Sequence, residues 1–163
     1  DTLHLLDDKS YVSTSFNIVG LNNDLHVKVK HDSSSKDEQI LFESSYGAIK
    51  AVQKETGKAG LSRENHDYSF DYELPVNQWV ELEFKNRKEV IELYVNGQLV
   101  DILDDEQVYG KLLKATMMIP FERIGSKEHA FVGYVDDIRL GSQKTFASIM
   151  ELDYLVTSAS IIA

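Results

Sequence analysis

The feature that most constrains this chain is period-two alternation of apolar and polar residues, repeated along most of its length. In "DLHVKVKH", Leu25, Val27 and Val29 fall on one face and His26, Lys28 and Lys30 on the other. In "QWVELEFK", Val80, Leu82 and Phe84 alternate with Glu81 and Glu83. "DYSFDYE" sets Tyr68, Phe70 and Tyr72 opposite Asp67, Ser69, Asp71 and Glu73. Successive side chains of a strand point to opposite faces, so these segments are half-buried β-strands. Turn residues separate them, and the count is roughly ten to thirteen strands at the ~8–12-residue spacing of sandwiches and barrels. In "IELYVNGQLV", Asn96-Gly97 lies between two alternating runs. A type I′ turn needs positive φ at both central residues, which Asn tolerates and Gly adopts freely, so this segment is a hairpin. The two prolines, Pro75 and Pro120, fall at strand ends, where a missing N–H costs least.

The final segment breaks the pattern. "SIMELDYLVTSASIIA" has Ile149, Leu152, Val156 and Ala159 at helical spacing, and Ser148 with Glu151 forms a capping box. The expectation is an all-β module over residues 1–141, followed over 142–163 by a short C-terminal helix. That helix either packs on the sandwich or opens a following domain.

With 163 residues, 42% of them hydrophobic, the chain can bury a core of its own without metals or disulfides. It has no cysteine, which removes disulfides, thiolate metal sites and thiol nucleophiles. A formal net charge of −10 argues against phosphate backbones and anionic lipid surfaces as partners. It suits neutral ligands such as sugars, and calcium. No apolar run approaches the ~20 residues of a membrane span, so no membrane insertion is expected. The start on Asp1 and the end inside an apolar run suggest a module cut from a longer polypeptide.

"QWVELEF", "LYVNG" and the closing "FVGYVDDIRL", in that order, resemble the laminin-G-like, concanavalin A-like jelly roll. Such lectin-type modules accompany bacterial glycoside hydrolases, including sialidases and hexosaminidases. The resemblance covers roughly Leu3 to Gly141 and implies a two-sheet antiparallel jelly-roll sandwich. It further implies a non-catalytic carbohydrate-binding or accessory module of a secreted or surface-exposed bacterial enzyme, with glycans and neighbouring domains as partners. A structural spacer and a stand-alone glycanase are the alternatives. Trp79 is expected to cover an end of the core, and Gly133 to permit a close backbone approach or a bend.

Laminarinase-type enzymes of this fold carry three acids on one strand face. Here Glu81 and Glu83 share a face but Lys85 follows, and Asp67, Asp71 and Glu73 lack the required spacing. The G-x-S-x-G elbow, H-E-x-x-H, the P-loop and G-x-G-x-x-G are absent. A catalytic site is therefore not expected.

Saccharide recognition needs aromatic faces for C–H surfaces and fixed polar groups for hydroxyls. The densest mixture is "LSRENHDYSFDYE", which offers Arg63, Glu64, Asn65, His66, Tyr68 and Tyr72. "ESSYGAIK" adds Glu43, Tyr46 and Lys50. The competing assignment puts Tyr68, Phe70 and Tyr72 in the core. His4, His26, His31 and His129 are taken as ordinary surface residues. For calcium, "DILDDEQ" supplies Asp101, Asp104, Asp105 and Glu106 but lacks EF-hand spacing. The resemblance instead implies one structural calcium at Asp136 or Asp137 in the closing strand.

Overall fold

The computed structural model describes residues 2–14, 18–19, 24–32, 35, 37–63, 66–87, 90–104, 119–141, 155–157 and 159–162. Within them the chain forms sixteen strands and no helix. They are β1 (Thr2–Leu5), β2 (Tyr11–Ser13), β3 (Ile18–Val19), β4 (Asp24–His31), β5 (Gln39–Ser44), β6 (Gly47–Val52), β7 (Gly60–Arg63) and β8 (His66–Ser69). The second half contributes β9 (Trp79–Asn86), β10 (Val90–Val95), β11 (Gln98–Asp104), β12 (Ile119–Pro120), β13 (Arg123–Gly125), β14 (Gly133–Leu140), β15 (Leu155–Thr157) and β16 (Ala159–Ile162).

Two seven-stranded antiparallel sheets carry the fold, in the orders β11-β10-β9-β4-β14-β1-β16 and β15-β2-β13-β5-β6-β7-β8, with β12 and β3 forming a small third pair. Alternation decides which face each strand buries. On β9, Val80, Leu82 and Phe84 are buried, while Glu81, Glu83 and Lys85 lie on the outer face. The inner faces meet in one cluster that includes Leu3, Leu5, Val27, Phe42, Ile49, Phe70, Phe84, Leu93, Phe121, Phe131 and Val135. Residues far apart in sequence meet here: β14 pairs with both β1 and β4, and β13 with both β2 and β5. This sandwich agrees with the expected jelly roll. No helix among the described residues is long and apolar enough to cross a membrane.

The Asn96-Gly97 hairpin is present, with φ of 51° and 83° at the two residues and Val95 paired to Gln98. Gly133 has φ of 148°, and a Cβ there would lie 2.1 Å from the Lys30 carbonyl oxygen. The close approach expected at this position is therefore real.

Three expectations are corrected. The C-terminal segment is not helical where it is described: β15 pairs with β2 and β16 with β1. "LVT" and "ASII" thus extend the two sheets, because edge pairing satisfies a row of backbone groups that the short helical pattern had no partner to stabilise. The proposed capping box, Ser148 and Glu151, lies outside the described residues. Trp79 starts β9 as expected but does not cover the core; it is 44% exposed. His26 and His31 are buried and not ordinary surface residues.

Candidate functional site

An open cleft of about 520 Å³ lies on the outer face of the second sheet. Its floor comes from the β5–β6 hairpin and β7. The register sets Arg123, Glu43, Ala48 and Ser62 in one row across β13, β5, β6 and β7. Gly47, Ala48 and Ser62 have little or no side chain, and a floor of small residues between larger ones makes a depression. Tyr46 stands at the hairpin tip, 55% exposed, with its backbone N–H donating to Ser44 Oγ at 3.0 Å.

The segment after β13 forms one wall. Glu43 anchors it: its carboxylate accepts from Arg123 Nε at 2.7 Å, Ser126 Oγ at 3.0 Å and the Lys127 N–H at 3.3 Å. Ser126 Oγ in turn accepts from the N–H groups of Glu128 and His129. The N–H of Ile40 donates to the His129 carbonyl at 2.7 Å. Glu128 and His129 are thereby held at the cleft by backbone geometry.

Lys50 is the buried cation of the cleft. Its ammonium pairs with Glu38 and, at 2.9 Å, with Asp67. Burial works against its charge, but the hydrogen bonds to Glu38 and Asp67 outweigh burial and hold its pKa above the ordinary lysine value. The Arg123 guanidinium is treated alike: burial opposes its charge, and Glu43 and Glu122 more than restore it. Glu38 and Glu43 are both paired with cations, Glu38 with Lys50 and Glu43 with Arg123. The arrangement offers fixed donors, acceptors and serine hydroxyls beside one exposed aromatic ring.

The structure brings Tyr46, Lys50 and Arg63 together on this cleft and separates them from other candidates. His66 is exposed on β8, its ring 6.4 Å from that of Tyr68. Tyr68 is 4% exposed and belongs to the core with Phe70, as the competing assignment had it. Its inward face is fixed by the strand's alternation. Tyr72 packs against the core from a half-buried position, and burial raises its hydroxyl pKa. Glu64 and Asn65 lie outside the described residues, as do Asp105 and Glu106. Sequence reasoning missed Glu38, Ser62 and His129 as cleft residues. Only the pairing of strands distant in sequence brings His129 there.

Asp136 and Asp137 sit on β14, in the first sheet. Asp136 accepts from Thr2 Oγ1 at 3.3 Å and from the Asp137 N–H at 2.7 Å. The Asp137 carboxylate lies 3.3 Å from Arg139 Nε, 3.7 Å from His26 Nδ1 and 3.8 Å from Lys28 Nζ. Calcium takes six to eight oxygen ligands and competes poorly with cations already in place. Among the described residues no group of three or more His, Asp or Glu side chains converges as a metal site. The surroundings of the Asp137 carboxylate, three basic side chains, therefore do not suit calcium.

No protein-family model matches the chain. No curated protein matches it in sequence. Solved structures do match in fold. A protein of Bacteroides ovatus described provisionally as carbohydrate-binding aligns at a TM-score of 0.65 and 13% identity, over 88% of this chain and 44% of its own. This chain thus spans less than half of that protein. A heptameric SAP-like pentraxin from Limulus polyphemus aligns at a TM-score of 0.63 and 10% identity, covering 98% of this chain and 93% of the pentraxin. Domain 4 of AbnA, a GH43 extracellular arabinanase from Geobacillus stearothermophilus solved with arabinotriose, aligns at 0.54 and 17% identity, over 84% and 68% of the two chains. At these identities the likeness is one of fold: the chain shares with them a two-sheet antiparallel β-sandwich.

Proposed function

We propose that this chain is a non-catalytic carbohydrate-binding module, and that the cleft on its second sheet holds the glycan. The observation that carries the reading is the convergence of Tyr46, Lys50 and Arg63 with the Ser44, Ser45 and Ser62 hydroxyls on one open, polar-lined depression. Sugars bind where a ring face meets a few fixed hydrogen-bonding groups. Two of the three ammonium donors of Lys50 go to Glu38 and Asp67, which fixes the direction of the third. Neighbours of this fold that are described as sugar binders or carry a bound oligosaccharide support the same reading.

In this account the module serves a secreted or surface-exposed bacterial glycoside hydrolase. Holding an enzyme on its polymer raises the local concentration of cleavable bonds without adding chemistry. A glycan array that includes arabinotriose, probed with wild type and Tyr46→Ala, tests it. Signal on at least one glycan, lost in the variant while its melting temperature stays unchanged, supports the reading. Wild-type signal undiminished by Tyr46→Ala on every glycan removes the cleft as the site, and a blank array removes the function.

A further inference from the structure

The opposite sheet carries a second set of groups. Trp79, Lys30, Tyr134 and His4 stand in one register row across β9, β4, β14 and β1. The Tyr134 and His4 rings stack at 4.2 Å and 13°. The Trp79 and Tyr134 rings tilt together at 6.4 Å and 45°. Strands lie about 4.8 Å apart, so the row spans about 14 Å of sheet surface. Two residues further along each strand runs a polar row: Glu81, Lys28, Asp136 and Thr2.

A depression of about 330 Å³ lies against Trp79 and is lined by Lys28, Glu81, Asn96 and Asp136. Its polar groups are held in place. Asn96 Oδ1 accepts from the Glu81 N–H at 2.9 Å, which directs its amide NH₂ away as a donor. Glu81 meets His26 Nε2 at 2.9 Å, and that contact keeps its carboxyl below the ordinary value and ionised. Asp136 is held by Thr2 and by the Asp137 amide.

We propose that this face is a second saccharide-binding surface: a pyranose or furanose ring lies on Trp79, and the polar row takes its hydroxyls. Trp79 is 44% exposed and lies beside the Tyr134 and His4 rings, so the aromatic surface here is a contiguous group and not a single scattered residue. Lys28 and Lys30 balance Glu81 and Asp136, so the local charge favours a neutral glycan over an anionic one. The inference shares the glycan reading given above but not its site. Two surfaces on opposite sheets would grip one polymer twice, or two chains at once, and raise avidity on insoluble glycan.

Trp79 is the sole tryptophan, so its emission reports this surface and not the cleft. Arabinotriose, xylohexaose and cellohexaose are titrated to about 10 mM, a range that reaches affinities as weak as millimolar. At least one should change the emission saturably in wild type and equally in Tyr46→Ala. Calorimetry with that sugar should show affinity reduced at least about tenfold in Trp79→Ala and largely kept in Trp79→Phe. Emission unmoved by all three sugars overturns the second surface. If Tyr46-dependent array binding persists in that case, the cleft stands alone. If the emission responds but the array is indifferent to Tyr46→Ala, the Trp79 surface stands and the cleft falls.

Discussion

Lys50 on β6 reaches across β7 to Asp67 on β8, its Nζ 2.9 Å from Asp67 Oδ1 and paired on the other side with Glu38. One buried cation therefore ties the strand floor of the cleft to the segment that precedes β5. Stability and recognition meet in this side chain.

Lys50→Met removes the charge and leaves Glu38 and Asp67 facing one another. Urea denaturation at neutral pH should show a loss of about 1–2 kcal/mol. The folded pKa of Lys50 is raised, so the wild-type contribution is complete below the ordinary value of 10.5 and fades as pH rises through the folded value. An unchanged midpoint in the variant would mean that the ion pairs carry no net stability.

His31 is buried, with Nε2 2.9 Å from Gln39 Oε1 and its ring 5.2 Å from that of Phe131. Burial pushes its pKa below 6.5, against smaller opposing effects of Gln39 and Asp32. The unfolded chain therefore takes up this proton first. Its contribution is intact above about pH 6.5 and is lost as pH falls through the folded pKa. His31→Phe should flatten that part of the stability–pH curve, measured by denaturant unfolding at pH steps. A slope identical to wild type would assign the acid sensitivity to other groups.

Gly133 and Gly97 both have positive φ, yet they should respond differently. At Gly133 a Cβ would meet the Lys30 carbonyl oxygen at 2.1 Å, whereas nothing lies within 4 Å of one at Gly97. Gly97→Ala should cost about 1 kcal/mol from backbone strain alone, and Gly133→Ala at least about 2–4 kcal/mol, because β14 must separate from β4. Thermal melts of the two variants check the order, and equal losses would contradict the close approach.

Chelation should leave the protein unchanged. Lys28, His26 and Arg139 already surround the Asp137 carboxylate. The melting temperature should therefore be the same in EDTA and in calcium. A rise of several degrees with calcium would show ligands beyond those described at Asp136 and Asp137.

The fold was legible because alternation is local: "WVELEF" alone tells which side of β9 is buried. The Asn96-Gly97 turn and the close approach at Gly133 were legible too, because each is marked by a glycine in an otherwise regular strand pattern. The C-terminal strands were not, since Leu155 to Thr157 and Ala159 to Ile162 satisfy a helical spacing, and only the sheet edges at β2 and β1 decide otherwise. At the site, residue type identified Tyr46, Lys50 and Arg63, but it could not separate them from Tyr68, whose chemistry is equally suitable and whose face is set by the strand. Trp79 was misjudged because burial is the ordinary fate of an aromatic residue at a strand start. Its partners Tyr134 and His4 are distant in sequence and appear only through strand pairing.

The claim that the second-sheet cleft binds glycan is tested most directly by amide chemical-shift mapping of the labelled protein with a glycan that it retains on the array. The account predicts saturable shifts at Tyr46, Gly47, Ala48, Lys50, Ser62 and Arg63. Retention of that glycan with all six of those resonances unmoved would contradict it.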